Sequence, residues 1–205
     1  MKCSRSDTLT AVTPKSLSIT VAIADVLVVL VAGLLQLRGS PAPAPSLLTL
    51  AQMRARLADS PRALAGLHAQ ANEILAGGLP ALRARLAKLR GTPVVINKWA
   101  SWCEPCRTEF GVFQRVSVSR GREVAFLGID SGDSDSNARA FLRSFPVSYP
   151  SFSDPSGQAG LAITDSASTP VTVFINRSGG KFIHQGPFLS VTKLEQAVRR
   201  YALDA

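Results

Sequence analysis

Residues 98–110 read KWASWCEPCRTEF and hold the chain's only closely spaced cysteines, Cys103 and Cys106. The apolar run PVVINKWAS, 93–101, leads straight into them and reads as a buried strand. From Glu104 to Val118 the pattern is helical, so the thiols stand where a strand hands over to a helix. The thiolate is the reactive form of cysteine, and an ordinary cysteine is mostly protonated at neutral pH. At a helix N-cap, unpaired backbone N–H groups and the helix dipole favour negative charge, which makes Cys103 the attacking sulfur. Pro105 suits the first helical turn, where its missing N–H has no partner to lose. Cys106, one turn inward, can reach back to Cys103 and resolve a mixed disulfide.

Two bland readings compete with redox chemistry. A static disulfide closing so small a loop removes little entropy from the unfolded chain and adds little stability. A zinc site needs two further ligands, and the chain offers only Cys3, His68 and His184, none at metal spacing. The expectation is therefore a dithiol/disulfide couple with no metal and no cofactor.

Working outward, VAFLGID (124–130) reads as a strand and NARAFLRSF (137–145) as a helix. VTVFINR (171–177) and KFIHQG (181–186) read as strands joined by the turn Ser178-Gly179-Gly180. Thr192 to Ala202 closes the chain as an amphipathic helix with Leu194, Val198 and Tyr201 inward. Strand–helix–strand followed by strand–strand–helix predicts a three-layer α/β sandwich over 91–205.

Upstream, 47–90 reads as helical throughout. Ser60-Pro61 forms a start signal, and Leu64, Leu67, Ala71 and Ile74 recur at helical spacing until Gly77-Gly78. Pro80 opens a second helix with Leu82, Leu86 and Leu89 on one face. These leucines should pack on the sandwich, with the basic residues solvated. Residues 38–46, ending GSPAPAPS, read as a semi-stiff spacer.

Before it, LSITVAIADVLVVLVAGLLQL (17–37) has 21 residues, of which 13 are Leu, Ile or Val. That is close to the roughly 20 residues that span a bilayer as a helix. Asp25 costs about 2.5–3.5 kcal/mol on insertion scales, which the aliphatics outweigh. Lys2, Arg5 and Lys15 in the leader 1–16 put the N-terminus in the cytoplasm and the remainder outside, as a single-pass signal anchor. The other reading is a cleaved signal peptide with Val26–Leu35 as its apolar region, but prolines follow both small-residue cut points, Ala42 and Ala44. Either way the cysteines are exported.

The net charge of +9 does not point to nucleic acid, because it is unevenly spread. Residues 46–91 carry seven Lys or Arg against Asp59 and Glu73, whereas 92–205 carry twelve basic and ten acidic side chains. With three cysteines, a disulfide framework of the small secreted kind is excluded.

A strand ending in WASWC-x-P-C at a helix start, a later Thr169-Pro170 before a strand, and a final hairpin and helix resemble the thioredoxin fold. More narrowly, 92–203 is similar to the membrane-anchored TlpA/ResA-like thiol-disulfide oxidoreductases. The resemblance implies a central mixed sheet between helical layers, with Cys103 and Cys106 as catalytic residues. It implies Trp102, Glu104 and Pro105 as support, and Thr169-Pro170 as a cis-proline loop that pairs with the substrate polypeptide. It implies reduction of disulfides in exported proteins, apocytochrome c among them, with electrons from a membrane dithiol donor. Asn97 stands where thioredoxins keep a buried aspartate, so Cys106 must lose its proton to water or another carboxylate, Glu104 and Asp130 being the candidates. The family's nearby glutamate has no clear counterpart, and Asp130 or Ser131 falls at its place. Gly111 replaces a helix-kinking proline, and the family's N-terminal β-hairpin is replaced by 47–90.

DSGDSDSN (130–137) begins like a calcium loop but has Ala138 and Ser144 out of pattern, and reads instead as a capped strand-to-helix loop. Three alternatives to a reductase remain. A thioredoxin-fold peroxidase usually has threonine three residues before its cysteine, where Ala100 stands here. A copper-assembly factor uses a wider cysteine spacing with a distal histidine, and an anchored binding module needs no thiol chemistry at all.

Overall fold

The computed structural model describes residues 47–204. The leader 1–16, the apolar segment 17–37, the spacer 38–46 and Cys3 lie outside the described residues. Among the described residues, no helix is long and apolar enough to cross a membrane.

Among the described residues the elements run from α1 (Leu50–Arg56) and α2 (Arg62–Ala69) through β1 (Ile74–Leu75), α3 (Gly78–Lys88), β2 (Val94–Trp99) and α4 (Glu104–Arg120). Next come β3 (Ala125–Ser131), α5 (Asp135–Ser144), β4 (Ser151–Asp154) and α6 (Gln158–Thr164). The chain closes with β5 (Val171–Ile175), β6 (Lys181–Gln185) and α7 (Val191–Val198), which runs into a π-helical turn over Arg199–Leu203. The strands form one mixed sheet in the order β1–β4–β3–β2–β5–β6. The pairs β1–β4, β4–β3 and β3–β2 are parallel, while β5 and β6 join antiparallel.

The central strands β2 and β3 are buried along their whole length, which explains why their sequences are near-continuous apolar runs rather than alternating ones. Side chains still alternate between faces. Val95 and Trp99 join Phe110, Phe113, Phe141, Phe174, Leu194 and Val198 in the core under α4, α5 and α7. Val94 and Ile96 join Leu64, Leu67, Leu82, Leu89, Ala159 and Val173 in the core under α2, α3 and α6. Trp99 anchors the first face: it stacks on Phe141 at 5.2 Å, meets Phe110 edge-on at 5.0 Å, and its Nε1 donates to Ser151 Oγ at 3.0 Å. Gly128 beside it leaves this room, since a Cβ there would lie 2.9 Å from Trp99 Nε1.

The upstream leucines thus pack on the sheet as expected, but 47–90 is not helical throughout. After α2 the chain turns at Asn72, held in the left-handed region at φ 68°. Its Nδ2 donates to Leu142 O and its Oδ1 accepts from Val147 N. Ile74 and Leu75 then pair with Ser151 and Phe152, so this segment contributes an edge strand. Ser60 is not a cap: its Oγ donates to Leu57 O, and Pro61 occupies the N-cap of α2 without a side-chain bond. α3 starts at Gly78, two residues before Pro80, which still lies in the first turn and loses no hydrogen bond. The elements β4 and α6 go beyond the sequence reading. β4 is buried but spelled Ser-Phe-Ser-Asp, so hydrophobicity does not mark it.

Candidate active site

Parallel register brings Trp99 opposite Asp130, and antiparallel register brings Lys98 opposite Val171. The ends of β2 and β3 and the start of β5 therefore share one end of the sheet, onto which Cys103, the 130–134 loop and Thr169-Pro170 all open. The Thr169–Pro170 peptide bond is cis.

Cys103 is the N-cap of α4, and its Sγ accepts the Cys106 N–H at 3.2 Å. The two sulfurs are joined in a disulfide, with Cα atoms 5.3 Å apart. Pro105 lies in the first turn. In this oxidised form neither sulfur is open to solvent. Cys103 is 3% exposed and Cys106 0%, so both are covered and the order between them is narrow.

The loop ahead of the helix is fixed from two sides. Ser101 N donates to Asp133 Oδ2 at 2.6 Å, and Trp102 Nε1 donates to Gly132 O at 3.0 Å, leaving the indole 66% exposed beside the disulfide. Burial pushes the Asp133 carboxyl up, but hydrogen bonds from Ser101 and Ser134 outweigh it and hold it below the usual range. Asp133 and Asp135 thus serve the loop and α5: Asp135 accepts from Ser153 Oγ and faces Arg139. Arg107 donates to Ser101 O at 3.3 Å, pairs with Glu104 at 3.4 Å, and lies over the rings of Phe141 and Phe145.

Of the two carboxylates proposed to take the resolving thiol's proton, Glu104 faces solvent. Its side chain is 82% exposed and turned toward Arg107. Asp130 is fully buried, and burial followed by the charge of Asp133 pushes its pKa up to about 8. A third carboxylate, Glu109, is the group that sequence reasoning missed. It is 0% exposed, and its Oε2 accepts the Phe188 N–H at 3.0 Å. Burial raises its pKa to about 8, with the Phe188 amide and the neighbouring Asn97 pulling weakly the other way. Asn97 and Tyr149 are buried beside it, though neither Asn97 amide atom makes a hydrogen bond of ordinary geometry. The signal was present in the sequence. Glu109 stands three residues after Cys106, on the same helix face, next to Phe110 and among Val112 and Phe113, where an apolar residue would be the default.

The remaining candidates serve packing. His184 packs on the Phe188 ring at 4.2 Å between centroids, and His68 is buried, with burial lowering its pKa. Among the described residues, no group of three or more His, Cys, Asp or Glu could hold a metal ion.

Residues 79–180 match the AhpC/TSA family. The chain is 31% identical over 98 residues to "Thiol-disulfide oxidoreductase ResA" of Bacillus subtilis, covering 47% of this chain and 54% of that protein. It is 33% identical over 94 residues to "Thiol:disulfide interchange protein DsbE" of Pseudomonas fluorescens, covering 45% and 51%. The chain spans about half the length of the curated relatives it matches. Among solved structures, MTB dsbF in its mixed oxidized and reduced forms aligns with a TM-score of 0.52 at 27% identity, over 56% of this chain and 84% of that one.

Proposed function

We propose that this chain, which belongs to the thioredoxin-like superfamily, reduces disulfides of polypeptide clients with the Cys103/Cys106 pair. The single observation carrying this is the disulfide at the N-cap of α4, at the end of the sheet where β5 begins after Thr169-Pro170. In the reduced protein, the Cys103 thiolate attacks one sulfur of a client disulfide, and the client's other sulfur leaves as a thiolate and takes up a proton. Cys106 then gives its proton to Glu109 in the fraction of molecules where that carboxyl is ionised, a fraction that grows as pH approaches about 8, and attacks Cys103 Sγ. The client's second sulfur leaves, the Cys103–Cys106 disulfide forms, and two electrons have passed to the client. A dithiol donor restores the pair by the same exchange in reverse.

The finer reading is an exported, membrane-anchored reductase whose clients include apocytochrome c. The aliphatic run 17–37 supports the anchor, and the names of the relatives support the exchange chemistry. On this reading the full chain fractionates with membranes and keeps its N-terminus, and a soluble exported form beginning near Pro43 or Pro45 contradicts it.

The activity is tested by following reduction of a protein disulfide with dithiothreitol as electron donor. The wild-type chain should accelerate it and Cys103→Ser should not. Turnover of hydrogen peroxide with no acceleration of disulfide reduction would instead support the peroxidase reading.

A further inference from the structure

Lys98 is out of character for its position. It lies in β2 on the face shared with Val94 and Ile96, against α6, and is 2% exposed. A buried ammonium without partners is strongly unfavourable, so its partners carry information. Its Nζ donates to Ser166 O at 2.7 Å. Burial lowers its pKa, and the Asp154 charge nearby pulls it back up. Asp154 is itself fixed, accepting from Ser131 Oγ at 2.9 Å, Ala159 N at 3.0 Å and Gly160 N at 2.8 Å. The lysine stem passes over Gly160, where an added Cβ would lie 2.8 Å from Lys98 Cε.

Ser166 begins the loop that ends in Thr169-Pro170. The one Thr164 hydroxyl hydrogen is shared between Gly160 O at 2.7 Å and Ser166 O at 3.0 Å, Thr164 Oγ1 accepts Ser166 N at 3.3 Å, and Ser168 N donates to Ser166 Oγ at 3.1 Å, so the loop folds on itself around this residue. Its far end, Val171, pairs in the sheet with Lys98 itself. One residue thus holds both ends of the cis-proline loop, the near end by its side chain and the far end by its place in the ladder. The next residue, Trp99, ends the strand that leads to Cys103.

We propose that Lys98 is a positioning residue for client binding, holding the Thr169-Pro170 loop in fixed relation to the cysteine pair. The proposal rests on the reductase reading above. It touches neither sulfur, so it acts on polypeptide clients, which need the loop, and not on small disulfides, which do not.

The test is Lys98→Met in the full chain, which keeps the stem and removes the donor. With dithiothreitol as donor, KM for reduction of insulin should rise about fivefold, in line with loss of a hydrogen bond worth about 1 kcal/mol, while kcat and the exchange rate with oxidised glutathione stay unchanged. Amide hydrogen exchange at 167–169 should quicken. Thr164→Val, which removes the hydroxyl that contacts both Ser166 O and Ser166 N, should give the same pattern to a smaller degree, and carries the test if Lys98→Met does not fold. An unchanged KM for insulin, or an equal loss on insulin and glutathione, overturns the proposal. If the wild type reduces no polypeptide, the reductase reading has failed, and exchange at 167–169 alone then decides whether Lys98 holds the loop.

Discussion

Glu109 follows Cys106 by three residues on α4, and both side chains are fully buried on one face of that helix. A carboxyl whose pKa is raised to about 8 lies close to that of a cysteine thiol, about 8.5, so the proton can pass between them with little cost in either direction.

Glu109→Gln keeps the Phe188 contact but cannot take the proton. Resolution of the mixed disulfide by Cys106 should slow by about 10²-fold or more, as for loss of a general base, while the first attack by Cys103 stays near the wild-type rate. Rapid mixing with a fluorescent disulfide client separates the two steps. Equal slowing of both would assign Glu109 to packing.

Stability should fall as pH rises from about 5 to 8. In the folded protein Glu109 and Asp130 hold their protons to about 8, whereas the unfolded chain releases them near the ordinary 4.5 and 3.8. Between those limits the folded state binds more protons, so each group lowers stability as pH rises, levelling off above about 9. Thermal melts of the oxidised protein across this range check the sign. Glu109→Gln should flatten the curve, and a Tm that climbs toward pH 8 in the wild type is the contrary result.

Leu82 is 0% exposed in the core between α3 and the sheet. Leu82→Ala should lower stability by about 2–5 kcal/mol, measured by urea unfolding. A chain starting at Gly91 loses Leu64, Leu67, Leu82 and Leu89 together with strand β1, and should not fold cooperatively. A normal melt of that fragment would show that the upstream helices are only a tether.

The parts of this fold that were legible carry strong local signals. The buried runs of β2 and β3, the helix opening at Glu104 and the Ser178-Gly179-Gly180 turn could all be read directly. β1 was not, because Ile74 also fits the helical spacing of Leu64 and Leu67, and only pairing with Ser151 decides between them. β4 was hidden by its serines, whose hydroxyls are satisfied by Trp99 and Asp135 rather than by water. In the site, the cysteines and Thr169-Pro170 were legible from motif and resemblance. Glu109 and Lys98 were not singled out, because a charged residue in a helix or strand is solvated by default, and burial is a property of the assembled layers.

The central claim is that Cys103 attacks and Cys106 resolves. It is tested most directly by trapping, with the Cys106→Ser and Cys103→Ser proteins each incubated with a disulfide-bonded polypeptide and resolved on non-reducing gels. Cys106→Ser should accumulate mixed disulfides through Cys103, since nothing remains to attack that bond, and Cys103→Ser should accumulate none. Capture by Cys103→Ser but not by Cys106→Ser would contradict the account.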